Sequence, residues 1–150
     1  MPESGEHGQM SAHTEMYLEQ LKQRAPERLE EFVRLQRLGD YLREKREGQG
    51  MSGREVARKL GISPNVVSEI ETGKKSYPDR IYERFADAVH ADQDEVFEII
   101  GRTPLYLRRF FDESPGLQAI ARLVLDLPDR EDLLQKALDA VSHRVEDARR

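Results

Sequence analysis

The sequence predicts an all-α fold, and three observations carry that expectation. Apolar residues recur at steps of three and four along most of the chain, no window alternates apolar and polar residues as a half-buried strand does, and Pro, Gly, Ser, Thr and Asp fall where helices start and stop. Residues 1–12, rich in Gly, Ser and Glu, have almost nothing to bury and are expected to form a disordered tail. Residues 14–24 read as a short helix with Tyr17, Leu18 and Leu21 on one face. Pro26 suits the first turn of a second helix, in which Leu29, Phe32, Val33, Leu35, Leu38 and Leu42 recur at helical spacing up to about Glu47. Gly48-Gln49-Gly50 ends it.

Ser52-Gly53-Arg54-Glu55 is a capping box, with the Ser hydroxyl accepting the Glu55 amide and the Glu55 carboxylate returning to the Ser52 amide. That helix stops at Gly61, which takes a left-handed conformation without steric cost. Ser63-Pro64 starts the next as N-cap and first helical residue, and it ends near Thr72-Gly73. Asp79 is expected to cap a helix to about Val89, and residues 93–100 make another. Thr103-Pro104, Ser114-Pro115 and Pro128-Asp129 open three more. The last carries Leu134, Leu138, Val141 and Val145 at alternating steps of four and three.

Composition sets limits on function. With 150 residues the chain holds one ordinary domain or a small domain with appendages. No stretch approaches the roughly 18 apolar residues of a membrane helix, and zero Cys removes disulfides and thiolate sites. The polar N-terminus resembles no secretion signal, so a cytoplasmic location is expected. Net charge is −5, but residues 38–78 carry eight basic and six acidic groups and form the one positive block, which is where a polyanion would bind.

That block contains the informative motif, residues 53–72. Two short helices joined by a three-residue turn approach closely at one point, where only a small side chain fits, and Ala57 occupies it. Gly61 supplies the positive φ of the turn. Val56, Leu60, Ile62, Val67 and Ile70 are the inward apolar groups that hold the crossing, which is the arrangement of a helix-turn-helix.

Widened to residues 38–100, the stretch resembles the XRE family of phage-repressor-like regulators, five-helix DNA-binding domains. Leu38-Gly-Asp-Tyr-Leu-Arg-Glu-Lys-Arg46 is similar to the family's first helix, and Gly50-Met51-Ser52 to its link into the second. Ile70-Glu71-Thr-Gly-Lys-Lys75 is similar to the end of its third, and Phe85-Ala86-Asp-Ala-Val89 to the core of its fourth. Two departures stand out: Gly53 occupies the place where the family usually has a phosphate-contacting Gln, and Pro78 sits one place late before the fourth helix.

The resemblance implies a lambda-repressor-like helix-turn-helix domain over 38–101, and the helical patterns on either side add an N-terminal helical extension at 13–37 and a C-terminal helical hairpin within 102–150. It implies that helix 63–72 enters the major groove. Pro64, Asn65, Val66, Ser68 and Glu69 are then the base-reading candidates: Asn65 can pair bidentately with adenine, Glu69 can accept from cytosine, and Val66 can touch a thymine methyl. Arg54, Ser63, Lys74 and Lys75 would hold phosphates. The plainer alternative for Asn65 and Glu69 is a solvated helix face. By resemblance, Arg46 late in the first helix bonds Glu71 at the end of the third, a structural pair rather than a DNA contact.

One such domain reads about half a site, so specific binding calls for a dimer. The stripe Leu134, Leu138, Val141, Val145 is the favoured dimer surface, with residues 14–35 as the second. Intramolecular packing is the alternative for both. Enzymatic function is not expected: the four His are scattered, no phosphate-binding Gly loop is present, and Asp92-Gln-Asp94 lacks the remaining ligands of a calcium loop. No cofactor and no metal are expected. The expectation is a regulator, read as a repressor acting as a homodimer on a palindromic operator, with double-stranded DNA and a second copy as partners and a protein partner or anti-repressor as a further one. The alternatives are a protein-interaction adaptor on a helix-turn-helix scaffold and an antitoxin that binds both a toxin and its own promoter.

Overall fold

A computed structural model describes residues 12–150, and every regular element in that span is a helix. The expected tail at 1–12 lies outside the described residues except for Ala12, the first residue of α1 (Ala12–Arg24). The chain divides into two compact units, Met1–Leu105 and Tyr106–Arg150.

The first unit holds α1, α2 (Pro26–Gly48), α3 (Gly53–Leu60), α4 (Pro64–Glu71), α5 (Asp79–Ala88) and α6 (Gln93–Ile99). Its core is drawn from every helix except α1. Leu35, Leu38 and Leu42 come from α2, Val56, Ala57 and Leu60 from α3, and Val67 and Ile70 from α4, while Tyr82, Phe85, Ala86, Val96 and Phe97 come from the last two helices. Local chemistry sets the boundaries. The Ser52–Glu55 capping box closes in both directions, at 3.2 Å from the Glu55 amide to Ser52 Oγ and 2.6 Å from the Ser52 amide to Glu55 Oε2. Gly61 ends α3 at φ 66°.

Helix α5 starts differently from expectation. Pro78 takes the N-cap position and Asp79 is the first helical residue. The Asp79 carboxylate is drawn instead to Arg102, whose Nη1 donates to Oδ1 at 2.6 Å, a bond in which donor and acceptor are both charged. The apolar run of α2 also divides its duties. Its lower part enters the core, whereas Leu29 and Phe32 are half-buried and Val33 is 46% exposed. The first unit runs past residue 101 to include Pro104, which is buried, and Leu105, which packs on its core.

Helices α7 (Leu105–Asp112), α8 (Pro115–Leu125) and α9 (Arg130–Arg149) follow, nearly all in the second unit. The segments expected to pair as a hairpin are present as α8 and α9, but none of the three helices buries a residue. Within this unit their apolar stripes enclose no buried core. Leu134, Leu138, Val141 and Val145 are 44–59% exposed. No helix among the described residues is long and apolar enough to cross a membrane.

Candidate nucleic-acid interface

The position of α4 is set by α2. Gly39 lies against its C-terminal end so closely that a Cβ there would sit 2.7 Å from the Ile70 carbonyl oxygen and from the Glu71 carbonyl carbon. Only glycine permits that approach. A turn of α2 away, Gln36 Nε2 donates to the Thr72 carbonyl at 2.5 Å, satisfying an acceptor that the end of α4 leaves without an intrahelical partner. Arg46 completes the clamp. Its Nε lies 2.5 Å from Glu71 Oε1, its Nη2 3.0 Å from Oε2, and its Nη1 donates to the Met51 carbonyl at 2.7 Å. The bidentate bond to the carboxylate holds the Arg46 guanidinium above its ordinary pKa. Glu71 is the one charged residue buried in the described core, at 6% exposure, and Arg43 Nε approaches it at 3.5 Å.

The opposite face of α4 is open. Pro64, Asn65 and Ser68 are exposed. Ser63 caps the helix by accepting the Val66 amide at 3.3 Å, and its hydroxyl proton remains able to donate to a phosphate. Val66 and Glu69 stand apart from the other three. Val66 is half-buried against the core, because α4 lies on the rim of the unit and its flank as well as its inner face is covered. Its assignment to the outward set is corrected to a flank position. Glu69 is half-buried and held: it accepts from the Tyr77 hydroxyl and, at 3.4 Å, from Asn65 Nδ2. The bond to Glu69, aided by burial, pushes the Tyr77 hydroxyl up to about 12.

The loop after α4 is fixed from both sides. Gly73, at φ 60°, presses on α2, where a Cβ would come within 2.7 Å of the Gln36 nitrogen and the Leu35 carbonyl carbon. On the other side Arg102 donates to Ser76 Oγ at 2.9 Å and to the Tyr77 carbonyl at 3.4 Å, in addition to Asp79. Sequence reasoning missed Arg102, Gly39 and Gln36, since each acts on a partner more than 20 residues away. Lys74 and Lys75 are exposed on this rigid loop, Lys75 with its ammonium 5.7 Å from the Tyr77 ring centroid. Arg54 is exposed on the first turn of α3. A side chain at position 53 would meet Val67 Cγ1 at 3.7 Å, an ordinary contact, so no steric need fixes glycine there.

A small-residue crossing of α3 and α4, a capped helix with an exposed polar first turn and a cationic loop behind it define a helix-turn-helix domain. Residues 37–98, about two fifths of the chain, match the protein family described as a helix-turn-helix domain. The match is consistent with an XRE-like regulator, and DNA is the partner that a helix-turn-helix domain implies. No curated protein and no solved structure matches the chain.

Proposed function

We propose that this chain is a sequence-specific transcriptional regulator, a repressor that binds a palindromic operator as a homodimer with α4 in the major groove. The observation that carries the reading is the exposed face of α4. Pro64, Asn65 and Ser68 are exposed on one face of a helix clamped at its far end, with Arg54, Lys74 and Lys75 exposed around it to hold the phosphate backbone. Glu69 joins them as a partly restrained acceptor.

Dimer formation is supported by the second unit. Single exposed apolar residues are ordinary, but Leu134, Leu138, Val141 and Val145 form a continuous stripe along α9, and contiguous apolar surface marks an association site. Residues 13–37, 38–101 and 102–150 then serve as extension, DNA-binding domain and dimerisation region. Repression follows from sterics, because a dimer seated on a promoter excludes polymerase.

The test is binding to a fluorescent duplex of the gene's own upstream region, titrated against salt and unlabelled competitor, together with selection from a random duplex library. Saturable binding that survives competitor and is abolished by Asn65→Ala, with the helical content unchanged, is the expected result. A library selection that returns no motif overturns the reading.

A further inference from the structure

The upper part of α2 carries apolar side chains that the core does not use. Helix α1 folds beside them, burying Leu21 while leaving Leu18 half-buried and Tyr17 50% exposed. Between this pair of helices and the open face of α4 runs a groove of about 1090 Å³. Its two walls differ in chemistry. One is apolar, made by Tyr17, Leu18, Leu29, Phe32 and Val33. The other is polar and includes Asn65, Ser68 and Glu69, the same side chains that face DNA in the reading above.

The walls and rim select the occupant. A DNA strand laid in the groove would set phosphates against five apolar side chains, an unfavourable exchange of water for hydrocarbon. A protein partner is poorly served, because a stable interface uses roughly 20–30 residues on each side. The volume lies just above the upper end of small-molecule sites, roughly 300–1,000 Å³, which are apolar with a few placed polar groups. The charges around it nearly offset, three cations (Lys22, Arg37 and Lys74) against two anions (Asp40 and Glu69), so a strongly charged ligand of either sign gains little there.

We propose that this groove binds an uncharged amphipathic small molecule, a ring-based apolar body with one hydrogen-bonding edge, and that its occupation excludes DNA from α4. The body lies on Phe32, Val33 and Leu18, and the polar edge meets Asn65 and Ser68. The Asn65 amide is engaged only by a long 3.4 Å bond to Glu69, so it has capacity for a ligand. Because ligand and DNA use the same two side chains, each lowers the other's affinity by the same factor. The exclusion rests on the DNA-binding reading, whereas ligand binding does not.

The experiment uses the full chain, isotope-labelled for NMR, with Nile red as a neutral amphipathic probe. Saturable binding with amide shifts at Val33 and Ser68 is expected. Val33→Glu, at an exposed position, is expected to weaken the dye by about tenfold or more, since the carboxylate would be covered by an apolar ligand. Tyr17→Glu repeats the test from α1 should the first variant fail to fold. Shifts confined to residues 106–150, or an affinity that neither variant changes, overturn the site. So does an amphipathic Leu/Lys peptide that occupies the groove where the dye does not. Displacement of the dye by a library-selected duplex supports the exclusion, and simultaneous binding at undiminished affinity overturns it. Failure of every duplex to bind defeats the DNA-binding reading and the exclusion with it, while the dye and variant arms still decide the site.

Discussion

Replacing Arg46 by Met keeps an unbranched apolar stem of about the length of the arginine's own and removes the guanidinium, leaving Glu71 buried at 6% exposure without its bidentate partner. Removing one member of a buried ion pair costs about 3–5 kcal/mol, most of it the desolvation of the charge left behind. Arg43 moderates the loss. It is already 3.5 Å from Glu71 and 45% exposed, so it can swing toward the carboxylate, which places the expected cost near the lower figure, about 3 kcal/mol. For a domain of this size that corresponds to a fall in Tm of about 12 °C or more. Urea unfolding followed by circular dichroism measures it, at one fixed protein concentration because a self-associating chain gains stability with concentration. The double variant Arg46→Met with Glu71→Leu removes the orphaned carboxylate and is expected to recover most of the loss. A cost below about 1 kcal/mol for Arg46→Met, the range of an exposed pair, would refute the clamp. So would a double variant no more stable than the single one.

Gly39→Ala is expected to destabilise the chain by about 3 kcal/mol, the upper end for overpacking, because the new methyl meets backbone atoms of α4 that cannot rotate away; the same unfolding assay measures it. Glu55 is held below its ordinary value of 4.5, first by the bond from the Ser52 amide. A depressed folded-state pKa contributes stability that is present above 4.5 and lost as pH falls through the folded value, so Glu55→Gln is expected to flatten stability against pH in that acid window. Val141→Glu, at a residue 59% exposed in one copy, is expected to leave helical content intact and to raise the dissociation constant of the proposed dimer by about 100-fold, read by analytical ultracentrifugation. Lys75→Ala is expected to reduce the slope of log affinity against log salt by about one, with sequence preference unchanged.

What was legible in the sequence was what neighbouring residues decide among themselves. The Ser52–Glu55 box, the left-handed Gly61 and the Ser63-Pro64 start each need only a few consecutive residues, and the three- and four-step spacing of Val56, Leu60, Val67 and Ile70 is enough to mark the inner faces of α3 and α4. Val66 was misplaced because a helical projection divides inside from outside at a line, whereas the rim of this unit also covers the flank of α4. Asp79 has the chemistry of a cap, and only the distant Arg102 gives it a stronger use. The groove beside α4 was invisible for a similar reason. Leu29, Phe32 and Val33 continue the same spacing as Leu35, Leu38 and Leu42, so nothing in the pattern separates core residues from a solvent-facing wall.

Helix α2 carries a second stripe beside its apolar one. Gln36, Gly39, Arg43 and Arg46 recur at steps of three and four, and all four meet the end of α4: an amide on a carbonyl, a missing side chain against backbone, and two guanidinium groups on one carboxylate. A hydrophobicity pattern cannot register such a stripe, because its members share no polarity and have only a partner in common. Its consequence is mechanical. Helix α4 is held along its last turn by polar and steric contacts, each with a defined geometry, while its first turn is left open, and the bidentate base contact proposed for Asn65 would need that fixed backbone direction. The same helix continues upward as Leu29, Phe32 and Val33, so a molecule lodged in the groove would rest on the element that orients α4 as well as on the side chains that α4 presents.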